Sequence, residues 1–352
     1  MGSKLRSGRE QTMRKVYALV MVIVVLVFVA WMASDNTVVT KPAPKAPFKS
    51  AGEFPLGGVE GRIDHLAADV KGGRLFVAAL GNNSVEVVSL KNGERLHTIK
   101  GLRQPQGILY LPQQNLLVVS CAADGTCRVF DGSSYTPLHT LKFDLDADNM
   151  RFDSAAGKVY VGYGEGALGV FDPVTGVADS TKRILLNGHP ESFQLETAGP
   201  RIFVNVPDAQ QIVVADRSTA QAPLASPLGE VVENYPMAID EANHRLFAGC
   251  RAPAALLVMD IGRGIFVATL PCAGDADDVF YDAARKRVYV SGGAGYVSVF
   301  AQQDANTYEE LPRVMTAPGG RTCLFVPELG KLYVAVPKKD AHSAAIKVYE
   351  VQ

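Results

Sequence analysis

Acidic residues stand in close groups along this chain: DAD at 146–148 and again at 275–277, Asp64 beside His65, Glu191 two residues after His189, and Asp278 directly after Asp277. Carboxylates crowded into one site either share a proton or hold a cation, and a hard cation such as calcium takes six to eight oxygen ligands. Asp148, Glu191 and Asp277 are the metal-ligand candidates on this reasoning. Asp64 and His65 are the catalytic candidates, with His65 as a general base activating water. The usual catalytic signatures are missing: the sequence contains no GxSxG, HExxH, CxxC or CxxCH stretch, which removes the commonest hydrolase, zinc-protease, zinc-ribbon and haem-attachment readings. The glycine-rich runs at 162–169 and 291–296 lack a following Lys or helix and read as turns needing positive φ. The acidic groups are far apart in sequence, so they can act together only if the fold collects them.

The fold is legible as a repeat. The stretches RLFVA (74–78), NLLVV (115–119), KVYVG (158–162), RIFVN (201–205), RLFAG (245–249), RVYVS (287–291) and KLYVA (331–335) share one plan, and their third residues lie 41 to 44 apart. An acidic residue or Pro precedes most copies, at Asp69, Pro112, Asp153, Asp240, Asp282 and Pro327, with turn-forming residues between. A second apolar run follows each copy and mostly ends in an acidic residue, as in CRVFD (127–131), LGVFD (168–172) and LLVMD (256–260). Most copies close with a further short run such as RLHTIK (95–100). The runs read as half-buried strands alternating inward and outward. Four strands per unit of this length define a β-propeller blade, so the expected class is all-β, a seven-bladed β-propeller of four-stranded blades over residues 48–352. The seventh copy ends at its third strand, and FKSAGEFPLGGVE (48–60) is the unassigned extended segment that supplies the fourth, leaving no open sheet edge.

The Tyr-Val cores YVGY (160–163), YVSG (289–292) and YVAV (333–336), with GNNSVEVVSL (81–90), resemble the YVTN-repeat β-propellers of the YncE type over about residues 55–352. The resemblance implies a seven-bladed protein of the bacterial cell envelope, outside the cytoplasm, that binds or scaffolds. In such a ring the entries to the first strands share one face. This places Arg62, Asp64, His65, Gln106, Asp148, Asn149, His189, Glu191, Asn234, Asp277, Asp278 and Arg321 around a common funnel. Three readings stay open for it: plain loop chemistry, a funnel binding a small molecule or protein, and a catalytic site in which calcium polarises an ester carbonyl as in propeller lactonases. A redox accessory role beside a cofactor-bearing partner finds no ligand set.

The 352 residues carry 35 Lys plus Arg against 36 Asp plus Glu, but the charge is unevenly placed. Residues 1–15 hold five basic residues and one acidic, leaving the remainder net acidic; such a body lacks the field nucleic acid needs. From Val16 to Ala33 there are 18 uncharged residues, about enough to span a bilayer core. The basic tail 1–15 stays cytoplasmic under the positive-inside rule and the body lies beyond the membrane, in the periplasm. Bulky Trp31 and Phe28 disfavour a small-x-small cleavage site, so an uncleaved inner-membrane anchor is expected, with secretion as the consequence of cleavage. Residues 34–47, containing KPAPKAP, form a semi-extended linker. Cys121 and Cys127 flank AADGT and are the disulfide candidates in an oxidising compartment.

Overall fold

The structure, a computed structural model, describes residues 13–24 and 45–352. Residues 13–24 are helical and belong to a unit separate from the body Lys45–Gln352. Among the described residues no helix is long and apolar enough to cross a membrane. The expected tail up to residue 12, the anchor from residue 25 and the linker up to residue 44 lie outside the described residues.

The body consists of seven antiparallel sheets, one per sequence repeat, and is a seven-bladed β-propeller. The first strands of successive blades are Leu66–Asp69, Pro105–Leu111, Met150–Asp153, Phe193–Leu195, Val232–Asp240, Ala276–Asp282 and Cys323–Val326. The repeated stretches are the second strands, and their aromatic or leucine residues Phe76, Leu117, Phe203, Phe247, Tyr289 and Tyr333 are fully buried. These strands do not alternate: Arg74–Ala79 and Lys331–Val336 are buried at every position after the first. Each blade is sandwiched between two others, so both faces of its middle strands are core, and a continuous apolar run replaces the two-residue period. Blade 3 departs from the plan. Its outer strand is broken into Val177–Ala178 and Ile184–Leu185 around a 3-10 turn at Ser180–Lys182, and both pieces pair with Ala167–Asp172.

The arginine that opens four of the repeats has a structural reason. Arg74 donates to Gly132 O and Tyr135 Oη of the next blade, Arg201 to Ile261 O, Arg245 to Ala305 O and Asn306 Oδ1, and Arg287 to Gln352 O. Each is a clamp from one blade to its successor. The aspartate closing four of the third strands is equally explained. Asp131, Asp172, Asp216 and Asp260 each accept two backbone N–H bonds from the turn that follows.

The ring closes through the two ends of the body. Phe48–Pro55 pairs antiparallel with Ala345–Val351, completing blade 7 as its outer strand. Phe48 packs edge-on against Tyr289 of blade 6, ring centroids 4.9 Å apart.

The expected disulfide does not form: all five cysteines are free and buried. Cys121 lies opposite Thr126, and Cys127 opposite Ser120. Cross-strand partners share a face and neighbours along a strand do not, so the two thiols point to opposite sides of blade 2. Cys127 packs among Met150 and Val161, and Cys121 among Phe76 and Ile108.

Candidate functional site

Residues at the first-strand entries converge on a channel mouth, a funnel of about 380 Å³ lined by Arg62, Gln104, Gln106, Asp146, Asp148, Glu191, Tyr235, Arg251 and Asp277. At its base is a chamber of about 20 Å³ bounded by Arg62, Asp64, His65, Asp148, Asn149, Glu191, Ser192, Tyr235 and Asp277, space for about one water-sized occupant. Beyond lies the channel proper, about 400 Å³, lined by inner-strand residues including Leu109, Gln194, Met237, Phe280, Tyr281 and Leu324.

A polar layer separates the two. Arg151 donates to Asn149 Oδ1, Met150 O and Ser192 Oγ; burial pushes its guanidinium down to about 10, so it remains a cation at neutral pH. Asn149 Nδ2 lies 3.0 Å from His65 Nε2. His65 Nδ1 faces Asp278 at 3.5 Å and Nε2 faces Asp64 at 3.6 Å. Burial favours the neutral imidazole, but the carboxylates of Asp278, Asp64 and Asp148 outweigh it and push His65 up to about 10. These carboxylates favour the charged ring, while Asn149, its Oδ1 already accepting from Arg151, presents an N–H donor to Nε2 and favours a lone pair there. Asp278 is engaged from below as well, accepting from Cys323 N at 2.7 Å. Burial raises Asp64 to about 6 despite His65 and Arg62, the latter 2.8 Å away.

The two DAD copies open with the same left-handed turn residue and have opposite surroundings. Asp146 and Asp275 both adopt positive φ, 60° and 54°, a turn conformation that Asp tolerates better than most residues. In blade 6, Asp277 meets Arg251 Nη2 at 2.5 Å, Arg321 Nε at 3.5 Å and Arg62 Nη2 at 3.8 Å, and Asp275 meets Arg321 at 3.0 Å and Arg251 at 3.4 Å. Arg251 is seated on the Tyr235 ring, 3.7 Å from its centroid. In blade 3, Asp146 has Gln106 Nε2 at 3.2 Å and His189 Nε2 at 3.8 Å, and the nearest cation to Asp148 is His189 at 4.0 Å. Glu191 stands beside this second group, and burial and Asp148 push it up to about 8 against the pull of His189.

The funnel thus holds Arg62, Asp64, Gln106, Asp148, Glu191 and Asp277 at the mouth and its chamber, with His65, Asn149 and Asp278 in the layer beneath. Arg321 serves as a partner of the blade 6 carboxylates. Asn234 does not join them: it is fully buried and donates to Asn205 Oδ1 and Gln211 O, tying blade 5 to blade 4. Its neighbour Tyr235 faces the funnel instead. The proposed ligand trio divides, because Asp277 is held by arginines while Asp148 and Glu191 group with His189, their ligating atoms within 4.8 Å of one another. Arg251 and Arg151 were not among the expected residues. Arg251 is the penultimate residue of the second strand Arg245–Ala252, at the end that meets the mouth, and its charge beside Cys250 was the available signal.

No protein-family model matches the chain, and no curated protein matches it in sequence. Solved structures match in fold. The chain is similar to a chain of Kuenenia stuttgartiensis hydrazine synthase, with a TM-score of 0.68 and 14% identity, covering 85% of this chain and 95% of that one. It is also similar to a chain in the crystal structure of a mitotic checkpoint complex, with a TM-score of 0.73 and 12% identity, covering 90% and 96%. At these identities the likeness speaks for the propeller fold alone.

Proposed function

We propose that this propeller is a binding module whose ligand enters the channel mouth and brings positive charge to the blade 3 and blade 4 side of it. The observation that carries this reading is the imbalance between the two acidic groups. Within 4 Å Asp277 has three guanidinium neighbours, while Asp148 and Glu191 have one histidine between them, with Arg62, Arg151 and His65 acting from farther off, in a chamber with room for one more small group. A cation, or the cationic end of a larger ligand, is what that half of the mouth lacks. The lactonase-like alternative is not favoured, since Asp277, one of its expected metal ligands, is occupied by arginines. The uncharged segment 16–33 behind a basic tail supports a tethered module that works outside the cytoplasm, which carbonate extraction of membranes and a periplasmic reporter fused after residue 47 would check.

The test of the binding reading is a stability screen of the full chain against small cations and small anions, with calcium, spermidine and an arginyl dipeptide as the cationic probes. Cations should raise the melting temperature of wild type and not of the Asp148→Asn, Glu191→Gln double variant. Stabilisation by anions alone would overturn it.

A further inference from the structure

The blade 3 and blade 4 side of the mouth, where the chamber borders His189, carries a more specific reading, which rests on the cation-binding proposal and sharpens it. We infer that Asp148, His189 and Glu191 form a binding site for a first-row divalent transition metal, with the funnel above it as the approach for an exogenous ligand.

Three observations converge. The first is the donor set. One oxygen from Asp148, one from Glu191 and a ring nitrogen of His189 lie within 4.8 Å of one another. Two carboxylates and an imidazole suit manganese, iron or zinc, whereas calcium and magnesium select oxygen donors. The calcium expectation therefore gives way to a softer ion once His189 replaces Asp277 in the trio.

The second is the orientation of His189. Its Nδ1 is 2.6 Å from Gly164 O, and because a carbonyl only accepts, Nδ1 carries the proton. That leaves Nε2 directed at the carboxylates. Metal-binding histidines are typically fixed in this way, with the remote ring N–H given to a carbonyl. Gly164 lies in the turn between the second and third strands of blade 3, at φ 62°, so the carbonyl that aims the ring belongs to the blade that carries Asp148.

The third is independent of the trio and concerns the polar groups around the chamber. Asp148 is 7% exposed, and its one ion-pair neighbour among the described residues is His189 at 4.0 Å. Asp64, outside the trio but bounding the same chamber, is 1% exposed, and its Oδ2 accepts no hydrogen bond, having only the Arg62 ion pair at 2.8 Å. Buried carboxylate oxygens without hydrogen bonds are costly. Among the described residues no guanidinium lies within ion-pair distance of Asp148 or Glu191, whereas Arg251 and Arg321 are committed to the blade 6 aspartates. A divalent ion would meet Asp148 and Glu191 where the chamber borders His189.

The experiment uses the full chain in detergent, freed of metal with chelator and dialysed. Zinc and manganese are titrated by calorimetry, and free manganese is counted by its electron paramagnetic resonance signal. One equivalent should bind, with affinity for calcium at least tenfold weaker. Asp148→Asn and His189→Ala should each weaken zinc and manganese at least tenfold, while His139→Ala, at a half-buried histidine in the outer strand of blade 2, should leave both unchanged. Asp148→Asn preserves shape, and a melting curve on each variant separates loss of the site from loss of fold. Absence of stoichiometric binding, or binding that survives both variants, would overturn the metal site. If spermidine or the arginyl dipeptide binds in an Asp148-dependent way while neither metal does, the metal inference fails and the cation-binding reading stands; if neither metals nor organic cations bind, both fail.

Discussion

Glu191 and Asp277 are both half-buried acids at one channel mouth, yet substitution should move stability in opposite directions. Asp277 sits among Arg251, Arg321 and Arg62, so Asp277→Asn leaves three guanidinium groups facing each other. The cost should be about 2–3 kcal/mol, at or below the low end for a broken buried pair because the arginines are partly exposed. Glu191 has Asp148 as neighbour and no ion pair among the described residues, so Glu191→Gln removes repulsion and should raise the stability of the metal-free protein. Urea unfolding of the two variants beside wild type checks both signs, and a destabilised Glu191→Gln would contradict the imbalance on which the binding reading rests. Much of this site was legible as residue types: the DAD copies, Asp64, His65 and Glu191 do meet at the mouth. What sequence could not give was the partner of each group. Asp148 and Asp277 occupy equivalent places in equivalent motifs, and only the neighbouring blades, one bringing His189 and the other Arg251 and Arg321, make one a candidate ligand and the other an ion-pair anchor. Asn234 was misplaced for a related reason, since a bulge in Val232–Asp240 makes its inward or outward direction unreadable from alternation.

At the scale of the element, the blade repeats because its punctuation repeats. The aspartates that close third strands, Asp131, Asp172, Asp216 and Asp260, accept turn N–H groups and are held below the ordinary carboxylate range. For Asp131 and Asp216 the turn hydrogen bonds are the main cause, whereas at Asp172 and Asp260 hydrogen bonds and nearby cations outweigh desolvation. Asp304 does the same in blade 6, accepting from Asn306 N and Thr307 N. A carboxyl whose folded pKa is depressed contributes stability above its unfolded pKa and loses it as pH falls through the folded one. The urea midpoint should therefore decline as pH is lowered from about 5 toward 3, around the unfolded Asp value. Replacing Asp131, Asp216 and Asp304 by Asn keeps a turn acceptor without a titrating group, and should flatten that decline; an unchanged slope would assign it to other carboxylates. The clamps make a companion case. Arg245 is 7% exposed and holds blade 5 to blade 6 by two bonds across the interface, so Arg245→Ala should cost roughly 2–4 kcal/mol, as lost hydrogen bonds to a buried charge. Sequence periodicity made these positions visible without saying why they were kept, because the acceptor lies some sixty residues on, in the next blade. It also misjudged the second strands, whose continuous burial reflects packing between two blades rather than against solvent.

For the molecule as a whole, closure is the decisive feature, and it was readable because an unfinished last repeat and an unassigned strand-like segment can satisfy each other. Gln352 N donates to Pro47 O at 2.9 Å, so the ends of the body already meet as the two arms of a hairpin. Joining Gln352 to Lys45 by a short linker should then be conformationally neutral, and new termini can be cut elsewhere to ask what closure contributes. One permutant opens at Lys91–Asn92, in the exposed turn between Ser84–Ser89 and Arg95–Lys100, and divides blade 1 between the two chain ends as blade 7 is divided now. A second opens at Gly229–Glu230, between the outer strand Gln221–Pro227 of blade 4 and the first strand of blade 5, so that every blade is continuous and the ring is closed by side-chain packing alone. If a shared blade is what holds the ring, the first should melt close to the native chain and the second several degrees lower, with faster unfolding. The reason is that parting the ring at a divided blade breaks a ladder such as the seven-residue pairing of Phe48–Pro55 with Ala345–Val351, whereas parting it between blades breaks only the interface. Equal melting and unfolding rates for the two permutants would assign the stability of the ring to the blade interfaces and their arginine clamps, and leave the divided blade as a matter of chain connectivity.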